Sequence, residues 1–323
     1  MISTNTVIDN NTVKQMIINL YGIPEPLDCT LIRRSFNDHY LIQTNNRKYI
    51  LRAYLNNKYY INGINDFNFE LELLAFLAAK DIQVSYPIKN KDNLYLSKAL
   101  YNNEIRFLSL FSFAEGTSIN TTLERNLASH FGESIARLHT ALNEYKSDYQ
   151  RYRISLDYLI NEPIEMLQEY SSKHALGDLG FFTPYAKYLY DQLQELPFND
   201  ESYGIIHGDL NPSNIHLDDN GNITIFDFDH CGYGWRIHDL AVIKLCFEKT
   251  TYENILDGYL SRKSLSETEI RLIDMYSKTL IIRKYKDVLS MLKVSRNAIS
   301  NNFDEKAYIE SAIDTFHDII SRK

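Results

Sequence analysis

The 323-residue sequence has no long hydrophobic run, no cysteine pattern and no surplus of positive charge. The most apolar window, LLAFLAA at 73–79, is far shorter than the ~20 residues that cross a bilayer. The N-terminal MISTNTVIDNNTVKQMI lacks the basic cap and apolar stretch of a secretory signal. Cys29, Cys231 and Cys246 are odd in number and have no metal-like spacing, which argues against a disulfide framework or a zinc site. The expectation is a cytoplasmic protein with no membrane partner. A net charge of −8 gives no electrostatic footprint for nucleic acid and suits a cationic partner better than an anionic one. No repeat of fixed period is present.

What remains is ordinary globular composition, 44% hydrophobic and 24% charged, at a length that suggests two packed lobes or one large domain. LIRRSFNDHYLIQT and RKYILRAY flank the polar TNNRK and read as consecutive antiparallel strands. INDFNFELELLAFLAAKDI puts Leu71, Leu74 and Leu77 at helical spacing, and EIRFLSLFSF returns to strand character. After AEGTSINTT the chain turns helical, with Leu127, Phe131, Ile135, Leu138 and Leu142 on one face. The expected fold class is α+β: a β-rich lobe with one main helix over 1–113, then a mostly helical lobe over 114–323.

One stretch breaks the helical pattern. HGDLNPSNIHLDDNGNITIFDFDH at 207–230 holds two short alternating runs around Asn-Gly, a hairpin signal. Closing that hairpin brings the segment Asp209 to Asn214 alongside Asp227 and Asp229. Asp218 and Asp219 at its tip suit a turn that bonds its own backbone. Carboxylates that converge repel one another unless a cation or proton relieves them. Acids with an Asn carbonyl form an oxygen-rich set suited to Mg²⁺. His207 and His216 have no partner pair for zinc, and a structural hydrogen bond competes with proton transfer for His207.

H-G-D-L-N-P-S-N matches the form H-x-D-L-x-x-x-N of the kinase catalytic loop, with Asp227 thirteen residues after Asn214. Together with FDFDHCGYGWRIHDLA, this stretch resembles the aminoglycoside phosphotransferase-like kinases, a superfamily that includes homoserine and choline kinases. The resemblance runs from about residue 28 to 290 and implies a bilobal, protein-kinase-like fold whose helical lobe carries a catalytic hairpin. It implies Asp209 as base, Asn214 and Asp227 as metal ligands, Asp229 and His207 as supporting residues, and Asp239 as the acid that steadies the catalytic loop. His139 in ARLHTAL fits a packed family position.

For the first lobe the resemblance implies that Arg52 stands where many members have Lys, paired with Glu70, with Glu72 as competitor. There is no G-x-G-x-x-G; SFNDHY at 35–40 is similar to the family's phosphate-covering turn. LFSFAEG resembles the segment joining the lobes, with Phe111 behind the adenine and the backbone of Ser112 and Ala114 at its edge. The implied cofactors are ATP and Mg²⁺, and the implied reaction is phosphorylation of a hydroxyl on a small, amine-bearing molecule. A stress-response-type protein kinase and a non-catalytic nucleotide binder are the alternatives. Glu253, Asp257, Asp148, Glu162 and Glu165 are the acids available to an amine.

Overall fold

The computed structural model describes residues 6–24, 28–35, 37–55, 58–174, 179–295 and 305–321. In chain order the elements are α1 (Asn10–Met16), β1 (Asp28–Arg34), β2 (Asn37–Gln43), β3 (Lys48–Tyr54), α2 (Ile64–Ala79), β4 (Pro87–Ile88), β5 (Ser97–Tyr101) and β6 (Glu104–Ser112). Then follow β7 (Thr117–Ser118), α3 (Arg125–Glu144), α4 (Glu162–His174), α5 (Phe182–Leu193), β8 (Tyr203–Ile206), β9 (Ile215–Leu217), β10 (Ile223–Ile225) and β11 (Gly232–Trp235). The chain ends in α6 (Ile237–Cys246), α7 (Lys249–Leu260), α8 (Glu267–Ser295) and α9 (Glu305–Ser321). A sheet-rich N-terminal part thus precedes a helical C-terminal part that carries the β9–β10 hairpin.

These elements form two units, each discontinuous in sequence. The first comprises Met1–Asn120, Thr140–Arg151 and Pro212–Cys231; the second comprises Thr121–His139, Tyr152–Asn211 and Gly232–Lys323.

In the first unit an antiparallel sheet runs in the order β1-β2-β3-β6-β4, with β5 also pairing to β6. Side chains alternate between the faces of a strand, so each face has its own task. Tyr40, Ile42, Leu51, Ala53, Leu108 and Leu110 cover one face and pack with Val13 of α1 and Ile17 just beyond it. The buried Tyr40 hydroxyl pins the segment leading into α1, donating to the Ile8 carbonyl (2.8 Å) and accepting from its N–H (3.0 Å). His39, Ile50, Arg52 and Phe111 point from the other face into a cavity.

LIRRSFNDHYLIQT, one strand by composition, is broken at Ser35 into β1 and β2, within the stretch where the family resemblance implies a turn. The break is made by the backbone, with the Ser35 N–H donating to the Asn37 carbonyl at 3.0 Å, and has no Gly or Pro to announce it. Phe36, part of the expected phosphate-covering turn, lies outside the described residues; Asn37 to Tyr40 belong to β2.

The β9–β10 hairpin is closed by a local network. Asp218 Oδ1 accepts from the N–H groups of Asn220 (2.9 Å) and Asn222 (2.8 Å), and Gly221 takes φ +81°, a region that favours glycine. Val84 and Ile225 form a parallel bridge that ties the hairpin to the loop after α2.

In the second unit α6 and α4 pack on the long α8, and β8 pairs antiparallel with β11. Helices α3 and α7 approach backbone to backbone. A Cβ on Gly132 would lie 1.9 Å from the Ile255 carbonyl oxygen, and one on Gly258 would lie 2.0 Å from that of Ser129. No helix among the described residues is long and apolar enough to cross a membrane.

Candidate active site

Arg52 is the centre of the first unit's polar network. Its Nη1 lies 2.6 Å from Glu70 Oε1 and its Nη2 lies 3.1 Å from Asp227 Oδ1. β3 supplies the arginine and α2 supplies Glu70 from its buried stripe, whereas Glu72 is exposed on the same helix. A planar guanidinium can hold two carboxylates at once, which a lysine ammonium does without fixed geometry. Burial alone would pull the Arg52 pKa down, but the buried Glu70 carboxylate and then the half-buried Asp227 hold it well above its ordinary value. The guanidinium also sits 4.7 Å from the centre of the Phe111 ring.

Asp227 follows β10 with φ +64°, a left-handed conformation in which Asp is enriched among non-glycine residues. Burial would raise its pKa, but Arg52 and then His39 hold the carboxyl below its usual value, so it is ionised at neutral pH. The Phe226 N–H donates to the Asn214 carbonyl at 3.0 Å, so the hairpin sets Asn214 and Asp227 at adjoining ends of its two strands. An amide and an ionised carboxylate there form a hard-oxygen donor pair, which fits a magnesium-type cation better than a soft metal.

Asp229 is engaged differently. Lys58 Nζ reaches both of its carboxylate oxygens at 2.8 Å, the Tyr60 hydroxyl donates at 2.6 Å and Asn37 Nδ2 at 3.0 Å. Burial opposes its charge, yet Lys58 and then Arg52 hold it far below the carboxylate range. With both oxygens committed to protein donors, Asp229 fixes the segment after β10 and presents no free edge to a metal. Arg151 completes this frame, with Nε on the Cys231 carbonyl and Nη1 on that of Asp66, both at 2.8 Å. Lys58 escaped the sequence reading because it sits in a loop with no periodicity. The only available signal was a lysine flanked by tyrosines, YLNNKYY.

The cavity in this unit has a volume of about 210 Å³. Ile50, Leu74, Phe111, Phe113 and Phe226 give it apolar walls; Arg33, His39, Arg52 and Asp227 give it a polar flank. Ala114 also lines it, and its carbonyl accepts from His216 Nδ1 at 2.8 Å. Ser112 does not line it, since its N–H donates to the Tyr86 carbonyl (2.9 Å) and its carbonyl accepts from the Ser85 hydroxyl (2.6 Å). Arg33, His39 and His216 are functional candidates that the sequence reading did not select. Their signal, strand register across the sheet and hairpin, becomes visible only with the pairing.

Asp209 belongs to the second unit, in the loop after β8. The buried Asp239 carboxylate accepts from the N–H groups of His207 and Gly208, each at 2.9 Å, while His207 Nδ1 accepts from the Asp209 N–H at 3.2 Å. His238 Nε2 (3.2 Å) and Arg283 Nη1 (3.1 Å) donate to the Gly208 carbonyl. Every backbone turn leading to Asp209 is therefore held by a buried side chain.

His139 Nε2 donates to Asp239 at 3.0 Å and its Nδ1 accepts from the Tyr259 hydroxyl at 3.0 Å, which fixes the tautomer. Burial keeps His139 neutral, pushing its pKa down; burial would raise the pKa of Asp239, but the His139 hydrogen bond together with the fields of His139, His207 and His238 holds it well below the carboxylate range. Of the acids offered to an amine, Glu162 pairs with Lys286 and Glu253 with Lys249. Glu165 lines a shallow groove between α4 and α5.

A two-part α+β chain with a paired Arg–Glu on β3 and α2, and an Asn and Asp on a catalytic-type hairpin, defines the class of kinase-like phosphotransferases. The model of the phosphotransferase enzyme family matches residues 29–271, and the chain belongs to that family. It is 27% identical over 260 residues to an uncharacterized protein of Synechocystis, covering 80% of this chain and 71% of that protein. It is 26% identical over 255 residues to the homoserine kinase of Rhodospirillum rubrum, covering 76% and 75%.

Among solved structures, an amicoumacin kinase in complex with AMP-PNP, Ca²⁺ and Ami superposes with a TM-score of 0.73 at 18% identity, over 96% of this chain and 94% of that one. A microcompartment-associated aminopropanol kinase gives 0.73 at 18% identity, over 95% and 94%. The protein is a small-molecule kinase of this family, a phosphotransferase acting on hydroxyl groups.

Proposed function

We propose that the protein moves the γ-phosphate of ATP to a hydroxyl of a small molecule that carries an amine. The observation that carries this reading is Arg52 joined to both Glu70 and Asp227 on the wall of a cavity whose other walls are apolar. Aromatic and aliphatic walls suit a nucleobase, and an arginine held by two acids suits phosphate oxygens. Asn214 and Asp227 would hold Mg²⁺, which when bound neutralises the charge of the phosphates. Ala114 offers its backbone to the adenine edge; Ser112, tied into the sheet, contributes through the strand.

Asp209 takes the acceptor's hydroxyl proton as the new O–P bond forms and the bond to the β-phosphate oxygen breaks, releasing ADP. Asp239, His207 and the packed His139 hold its loop. The amine preference rests on the net charge of −8 and on relatives named for homoserine and aminopropanol.

ADP release by purified protein across amino alcohols, hydroxy amino acids, aminoglycosides and uncharged sugars tests the reading. Asp209→Asn is expected to keep ATP binding and lose roughly a hundred- to ten-thousand-fold in turnover. The preferred acceptor is expected to lose most activity on N-acetylation, which removes its charge and keeps its hydroxyl. Equal turnover of the acetylated form would end the amine assignment, and near-normal turnover by the Asn variant would end that of the base.

A further inference from the structure

The polar flank of the cavity is a row. In the β1–β2 ladder Arg33 pairs with His39, and in the β2–β3 ladder His39 pairs with Arg52. Residues directly opposite one another on antiparallel strands project from the same face, so Arg33, His39 and Arg52 stand side by side across three strands. All three line the cavity, as does Asp227 beyond them.

Arg33 owes its place to a bulge. The register passes from Leu31 opposite Tyr40 to Arg33 opposite His39, leaving Ile32 as the extra residue. A bulge sets two consecutive residues toward one side, and Ile32 and Arg33 indeed both line the cavity. The next residue, Arg34, is instead paired with Asp38 at 3.4 Å.

Two further observations mark the row as a ligand site. Among the described residues Arg33 has no ion-pair partner, although it is exposed on the cavity wall. His39 Nδ1 is buried and has no hydrogen-bond partner among the described residues. A buried ring nitrogen left unpaired is costly, and a ligand that bonds it removes that cost. The chain also lacks a glycine-rich loop, so backbone N–H groups are not arranged by that device around phosphates.

We propose that Arg33 and His39, aligned with Arg52 by the bulge at Ile32, bind the β- and γ-phosphates of the nucleotide and make the protein selective for a triphosphate donor. This rests on the kinase reading above and assigns to side chains the grip that a glycine loop gives through backbone.

Equilibrium titration with Mg·ATP and with AMP tests it in wild type, Arg33→Ala, Arg33→Lys, His39→Asn and Arg34→Ala. A charge-assisted hydrogen bond is worth ~1.5–3 kcal/mol, so Arg33→Ala is expected to weaken ATP at least about tenfold while AMP affinity stays unchanged. His39→Asn should shift ATP in the same direction, Arg33→Lys should recover most of the loss, and Arg34→Ala should be silent. Equal losses for ATP and AMP, or an Arg34→Ala loss matching that of Arg33→Ala, overturns the row. So does an Arg33→Ala protein that binds ATP as wild type does; in that case the kinase reading stands. Wild type that binds no ATP overturns both.

Discussion

At the scale of single residues, charge buried among the described residues of the first unit is answered by charge. Lys58 is enclosed by the rings of Tyr54 (5.1 Å) and Tyr60 (5.6 Å), and burial pushes its pKa below the ordinary value, a shift that Asp229 opposes only in part. Removing one partner of such a pair leaves the other ionised in a poor solvent, at a cost of about 3–5 kcal/mol. Lys58→Met is therefore expected to lower the urea midpoint by that equivalent, and pairing it with Asp229→Asn should recover part of the loss. A single variant as stable as wild type would show that Asp229 finds another counter-charge.

Residue types carried much of the candidate site into view. Helical spacing alone puts Glu70 on the buried stripe and Glu72 outside it, and turn chemistry alone accounts for Asp218. Lys58 and Arg33 were not visible this way: one lies in a loop, and the other depends on a bulge that shifts the register by one residue. Alternation read along β1 cannot say which of two adjacent arginines faces inward.

At the scale of elements, the loop before Asp209 is held by groups that titrate. His139 is kept neutral by burial, so its folded pKa lies below the ~6.5 of an unfolded chain. Its share of stability is full above about pH 6.5 and is lost as pH falls below that, because the unfolded chain takes up the proton first. Asp239 is depressed in the fold, so its contribution persists above about pH 4 and disappears as pH falls through its folded value. The urea midpoint should therefore drop between pH 7.5 and pH 5, and by less in His139→Gln, whose amide still donates to Asp239. An identical drop in both proteins would place the sensitivity elsewhere.

Helix packing gives a second expectation at this scale. Gly132→Ala forces α3 off the Ile255 carbonyl of α7 and should cost ~1–3 kcal/mol, read as a lower melting temperature. The main helices and the hairpin were legible because apolar spacing and an Asn-Gly turn report on local structure. α1 and the β8–β11 pair were not, since a seven-residue helix and a four-residue strand carry too few periods to stand out.

At the scale of the whole molecule, the first unit is assembled from three stretches of chain, the last of them Pro212–Cys231. Residues 1–120 alone lack Ile225, which bridges Val84, and the Ile215 carbonyl, which accepts from the Ile119 N–H at 3.2 Å. They also lack Asp227 and Asp229, the counter-charges of Arg52 and Lys58. That fragment is expected to show weak, non-cooperative thermal unfolding by circular dichroism, and a sharp cooperative transition would refute this.

The family resemblance made the two-part architecture readable, because it ties motifs that are distant in sequence. Composition and periodicity report only on neighbours along the chain.

Lys58 and Asp229 are 171 residues apart. At about 5–20 residues per second of synthesis, the lysine emerges from the ribosome roughly 10–30 seconds before the aspartate that neutralises it. During that interval the nascent sheet has an ammonium it cannot bury, so its closure must wait for the hairpin, and the order of translation becomes the order of folding.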